Sequence, residues 1–158
     1  MRTTGAANEV VQLIAGDQEL FDRVFEGIKD NDPGLRMRCA DALEKASAKQ
    51  PELLKSHQGD LLNEVAAIDQ QEVQWHVAQM LPRLELAPAE LEQAVKVLER
   101  YYETTKSSIV RANALQGIVE LAGRYPALDS LANQYIQKAL NDQAPAVQAR
   151  ARHMKSSA

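Results

Sequence analysis

The sequence predicts an all-α protein, an αα-solenoid or superhelix of about four helical pairs with an N-terminal capping helix. Three observations predict it. The segments 35–43, 73–81, 110–118 and 147–152 align on the anchors Leu35, Val73, Val110 and Val147, which stand 38, 37 and 37 positions apart. A period of that length belongs to stacked helical repeats. The prolines mark two registers within it: Pro51, Pro88 and Pro126 recur at 37 and 38 residues, while Pro33 and Pro145 each sit two positions before an anchor. Proline fits the first turn of a helix, where it has no hydrogen bond to lose, so two registers mean two helix starts per period. Composition agrees, with 24 Ala and 18 Leu against 11 Val, 6 Ile and 4 Thr. Ala and Leu keep their freedom in a helix and β-branched residues lose it.

Each element follows from its apolar spacing. Residues 1–7 are expected as a flexible N-terminus and 8–155 as one repeat domain, with repeats near 17–49, 51–86, 88–124 and 126–155. Val10, Val11, Leu13 and Ile14 mark the capping helix. The first helices of the pairs carry Leu20, Val24, Phe25 and Ile28; Leu61, Leu62, Val65 and Ile68; Leu91, Ala94, Val95, Leu98 and Tyr102; then Leu128, Leu131, Tyr135, Ile136 and Ala139. The second helices carry Val73, Val77, Met80, Leu81 and Leu84 in one repeat and Val110, Ala114, Gly117, Ile118 and Leu121 in the next, the spacing of a single helical face. The last keeps only Val147, Ala151 and Met154. Pro82 breaks the pattern, so that helix should kink, or stop near Met80 and restart. No alternating run argues for a strand.

The 158 residues suffice for a core without metals or disulfides. A net charge of -4 disfavours a largely electrostatic binder of nucleic acid or anionic membrane. No apolar run approaches the roughly 18 residues of a membrane span. Asn8, Glu9 and Asp17 interrupt any signal-peptide core. The lone Cys39 suits a reducing compartment, and a cytoplasmic location is expected.

Asp32-Pro33-Gly34-Leu35-Arg36, followed by small and apolar residues at Cys39, Ala40, Ala42 and Leu43, resembles the start of the second helix in the HEAT-repeat family, in its HEAT-like or armadillo-like form. The resemblance covers roughly 17–155. It implies a ladder in which an Asp six residues before an Arg fixes each inter-helix turn. Asp30 and Arg36 keep both partners; the other repeats offer Ile68 and Gln74, Thr105 and Arg111, and Asp142 and Gln148.

The resemblance also implies that the second helices line a concave, partner-binding face. At about 100° per residue, positions two, three and six after each anchor lie away from the apolar stripe. They include Arg38, Trp75, His76, Gln79, Asn113 and Arg150, a polar row with a basic lean around the only tryptophan. Trp and Arg are frequent binding hot spots. The row therefore suits a protein or an acidic peptide; the alternative is that Trp75 packs on a neighbouring repeat or under the Pro82 kink. Arg150, Arg152, His153 and Lys155 form a terminal cationic stretch, read as a cap or as a docking patch.

No catalytic constellation emerges. The three histidines lack metal-ligand spacing, the glycines are scattered singly, Cys39 falls on a core face, and no cofactor is called for. The expectation is a protein that is not an enzyme, a scaffold or adaptor that binds another protein. The alternatives are a HEAT-like DNA-binding protein of the alkylation-repair type, or a HEAT-like lyase or regulatory subunit that needs a second chain, as in tetrapyrrole attachment. The sequence leaves the oligomeric state open.

Overall fold

Five of the six prolines begin a helical segment. In the computed structural model, which describes residues 2–157 with side chains from 8 to 154, these starts are Pro33, Pro51, Pro88, Pro126 and Pro145. Residues 1–7, expected as a flexible N-terminus, fall outside the described side chains, as does Lys155. The fold class is the one that the period predicts: all-α, of paired helices in the αα-solenoid class, with no strand among the described residues. None of these helices is long and apolar enough to cross a membrane. The chain forms two units, Met1–Leu86 and Ala87–Ala158, parted where the second expected repeat meets the third.

The first unit contains α1 (Arg2–Ala15), α2 (Gln18–Gly27), α3 (Pro33–Lys49), the short α4 (Gln58–Asp60) and α5 (Gln71–Met80). Asp17 caps α2 by accepting the Leu20 N–H at 3.2 Å, and Asp32 caps α3 by accepting the Gly34 N–H at 3.0 Å. Phe21, Phe25 and Ile28 form the buried face of α2, a stripe shifted from the expected one, since Leu20 and Val24 are only half-buried. Against it lie Ala40, Leu43 and Ala46 of α3. Gly27 belongs to this contact, because a Cβ there would stand 2.4 Å from the Cys39 sulfur.

The segment after Pro51 departs from a plain helix. It is a 3₁₀ stretch, Pro51–His57, then α4, then a π turn, Leu61–Val65. The wider turn puts Leu61, Leu62, Val65 and Ala66 all in the interior. Pro82 acts as expected: α5 ends at Met80 and a 3₁₀ turn, Leu81–Arg83, follows. Arg83 then ties this turn to α3, donating to the Glu44 carbonyl at 2.7 Å and the Ser47 hydroxyl at 2.8 Å.

The second unit is more regular. It holds α6 (Pro88–Thr104), α7 (Ser108–Arg124), α8 (Asp129–Leu140) and α9 (Pro145–Ser157). Ser107 caps α7 through the Val110 N–H at 3.2 Å, and Glu90 reaches back to the Ala87 N–H at 3.0 Å at the head of α6. Leu98, Val110, Leu115, Ile118 and Leu121 are fully buried where α6 and α7 pack, and Val147 and Ala151 complete the core under α9.

The expected turn ladder exists in a different chemical form. Arg36 donates to the Asp30 backbone carbonyl at 2.8 Å, Gln74 to that of Ile68 at 3.5 Å, Arg111 to that of Thr105 at 3.4 Å, and Gln148 to that of Asp142. Each turn is thus closed by a side-chain N–H on a main-chain oxygen six residues earlier. The residue at the earlier position need not be Asp. Where the arm is Arg, a second contact runs to the next repeat, from Arg36 to Gln70 in the first unit and from Arg111 to Asp142 in the second.

Candidate functional site

Helix α5 presents the expected residues. Its anchor, Val73, is fully buried, and Trp75 lies about 200° round the helix from it, half-buried. His76 lies about 300° round, only some 60° from the anchor, and Gln79 is one turn further along. The Trp75 indole N–H donates to His76 Nε2 at 3.0 Å, and His76 Nδ1 stands 3.1 Å from Gln79 Oε1. An accepting Nε2 leaves the proton on Nδ1, so the ring is the neutral tautomer with Nδ1–H donating to Gln79. The two rings meet edge to face, 5.7 Å between centroids.

Helix α3 supplies the charge. Asp41 Oδ1 lies 3.7 Å from His76 Nε2, while Asp41 Oδ2 holds Lys45 at 3.0 Å. Burial pulls the His76 pKa down, against the pull of the Asp41 charge, the Gln79 bond and the Glu44 charge, each of which favours the imidazolium. Arg38, a turn before Asp41, is exposed on α3.

Two of the six expected residues need correction. His76 is 9% exposed and Asn113 8%, so neither presents an open face. The reason is angular: position three lies at the edge of the apolar stripe, and in α5 and α7 it is covered, whereas the same position in α3, Arg38, stays exposed. The structure brings Trp75, His76 and Gln79 together with Asp41 and Lys45. Asn113, on α7, and the half-buried Arg150, on α9, belong to the second unit.

Other polar clusters are marked in the sequence only by their spacing. Asp22 Oδ1 meets His57 Nε2 at 2.5 Å, and the imidazole stacks on Phe25 at 4.0 Å. A hydrogen bond from Gln18 and then one with His57 hold the Asp22 carboxyl below its ordinary range. The separation of 35 residues, close to one repeat, is the only sequence signal that these side chains meet. In the second unit Asp142 accepts from Arg111 at 3.2 Å through both oxygens and from the Tyr102 hydroxyl at 3.2 Å. Burial pushes the Tyr102 phenol up to about 12, and the Asp142 charge adds to it. Cys39 is buried, which pushes its thiol up. Among the described residues no group of His, Cys, Asp and Glu is placed to hold a metal ion.

No protein-family model matches the chain, and neither does any curated protein. Among solved structures, it is similar to a chain in the complex of CpcE and CpcF of phycocyanin lyase from Nostoc sp. PCC7120. The likeness has a TM-score of 0.69 and 21% identity, over 97% of this chain and 88% of that one. It shows a shared helical-repeat fold. It also overturns one inference, that a chain without a catalytic constellation is not an enzyme, because the same architecture stands within an enzyme complex.

Proposed function

We propose that the chain is a subunit of a lyase-type complex, of HEAT-like build, which works with a second protein chain. The observation that carries this reading is the likeness along nearly the whole chain to a component of a two-protein lyase complex. The repeated turn closure, from a side chain at one position to the carbonyl six residues before it, supports the HEAT-like assignment. By this reading the substrate class is a tetrapyrrole joined to a carrier protein. The surface that receives the second chain is the α3–α5 face of the first unit, with Trp75 as its aromatic anchor, Gln79 on the same helix and Arg38 on α3. Tryptophan and arginine are among the residues most enriched at interface hot spots. The single buried cysteine supports a cytoplasmic setting.

The test is native purification of the tagged chain, followed by assay of the isolated complex for tetrapyrrole transfer to or from a phycocyanin-type acceptor. One stoichiometric partner chain and a transfer rate lowered at least tenfold by Trp75→Ala are expected. A chain that purifies alone, and that leaves the transfer unchanged when added, would sink the reading.

A further inference from the structure

Trp75 is held by a group that can change sign as a hydrogen-bonding partner. The indole nitrogen is a donor only, and its N–H points at His76 Nε2 at 3.0 Å. That contact exists only while Nε2 is unprotonated. The other ring nitrogen is already committed to Gln79 Oε1 at 3.1 Å, so a proton arriving at the ring must go to Nε2. Two donors would then face each other, while Asp41 Oδ1 waits 3.7 Å from the same nitrogen. We propose that His76 is a proton-operated latch on Trp75: the neutral imidazole fixes the indole, and the imidazolium turns to Asp41 and releases the indole N–H.

The surroundings make the two states distinct. The charged groups that face His76 are Asp41, Glu44 and Lys45, all on α3. Glu44 is engaged by Arg83 at 3.6 Å, and Asp41 shares its other oxygen with Lys45. Glu64, on the π turn that also packs against α5, is drawn to Lys29 at 3.6 Å. Asp41 is therefore the acceptor within reach. The transfer of His76 from the indole to Asp41 needs a shift of less than an ångström to reach ordinary hydrogen-bond length. If the α3–α5 face receives the partner chain, a step that rests on the proposed function, acidification changes the conformation of its aromatic anchor.

The protein's single tryptophan makes the test direct. Indole emission and the indole N–H proton resonance are followed from pH 8 to pH 4 on the full chain, with far-UV circular dichroism alongside. Both indole signals should titrate together with the His76 ring proton, with a midpoint below 6.5 and no loss of helix. His76→Gln, which keeps an acceptor but cannot be protonated, should abolish the emission change, and Asp41→Asn should move the midpoint to lower pH. His57→Gln should leave the curve as it is. Indole signals that stay flat while the His76 ring titrates, or a curve unchanged in His76→Gln, would overturn the latch. The resonance measurement needs no variant and so holds even if a substitution fails to fold. Binding of the partner chain over the same range is a separate arm. Affinity that ignores pH while the indole titrates leaves the latch standing and removes the α3–α5 face from the proposed function.

Discussion

The two units solve one architectural problem with different materials. In Ala87–Ala158 the pair α6 and α7 consists of two unbroken helices, and the turn Arg111 reaches a carboxylate, Asp142. In Met1–Leu86 the corresponding path is a 3₁₀ stretch, one short α-helix, a π turn and a helix halted by Pro82, and the turn Arg36 reaches a neutral amide, Gln70. The regular unit places its polar fastenings between whole helices and turns, as in Arg111 and Tyr102 to Asp142. The irregular unit adds polar fastenings, such as Asp22 to His57 and Arg83 to Glu44 and Ser47, at the places where the helical ladder is interrupted. The lesson is that this repeat conserves the path of its apolar stripe more strictly than the hydrogen-bond pattern of its backbone.

Four measurements would sharpen or break that contrast. The largest effect is expected from Phe25→Ala, which empties the α2–α3 core and removes the surface on which His57 stacks. A loss of about 3–5 kcal/mol in chemical denaturation should appear, with hydrogen-exchange protection falling mainly in the first unit. Next, Arg111→Ala leaves the Asp142 carboxylate, only 12% exposed, without its guanidinium and should cost about 1.5–3 kcal/mol. Arg36→Ala removes bonds to neutral oxygens and should cost about 1 kcal/mol. Equal losses would mean that the partner's charge is irrelevant to the turn.

The third contrast is in pH. His76 titrates lower in the folded chain than its ordinary 6.5, because burial disfavours the charged ring. Its contribution to stability is thus complete above 6.5 and declines as the pH falls from there toward the folded value. Burial raises the Asp142 carboxyl, but the Ala144 N–H and Arg111 outweigh it and hold the group below its ordinary 3.8. The Asp142 contribution is complete above that value and is lost only below it. Acid should therefore loosen the first unit before the second, and His76→Gln should flatten the profile below pH 6.5. The smallest effect belongs to Gln74→Ala. Its bond to the Ile68 carbonyl is 3.5 Å long, so a change within about 0.5 kcal/mol is expected by thermal denaturation.

Much of the architecture is legible in the residues because proline and apolar spacing act locally. Five prolines foretell five helical starts, and Pro82 foretells the end of α5 at Met80. The phase of α2 is harder to read: Leu20 and Val24 compete with Phe21 for the core, and only the placement of α3 decides between them. The π turn after α4 has no residue signature of its own. In the candidate site, the sequence picks out Trp75 by its rarity and its angle from Val73. It misjudges His76 and Asn113, since a position 60° from the stripe is exposed on an isolated helix and covered in a packed one. Asp41, Lys45 and the Asp22–His57 contact depend on which helices become neighbours, and no single-chain pattern encodes that.

The turn closures have an evolutionary corollary. A carbonyl oxygen is supplied by every amino acid, so the position that provides it can drift from Asp to Ile or Thr while the bend is preserved. Only the reaching arm six places later must keep an N–H at the end of a long side chain, and either Gln or Arg supplies one. Copies of such a unit can lose their mutual resemblance in residues while the bends they encode stay superimposable.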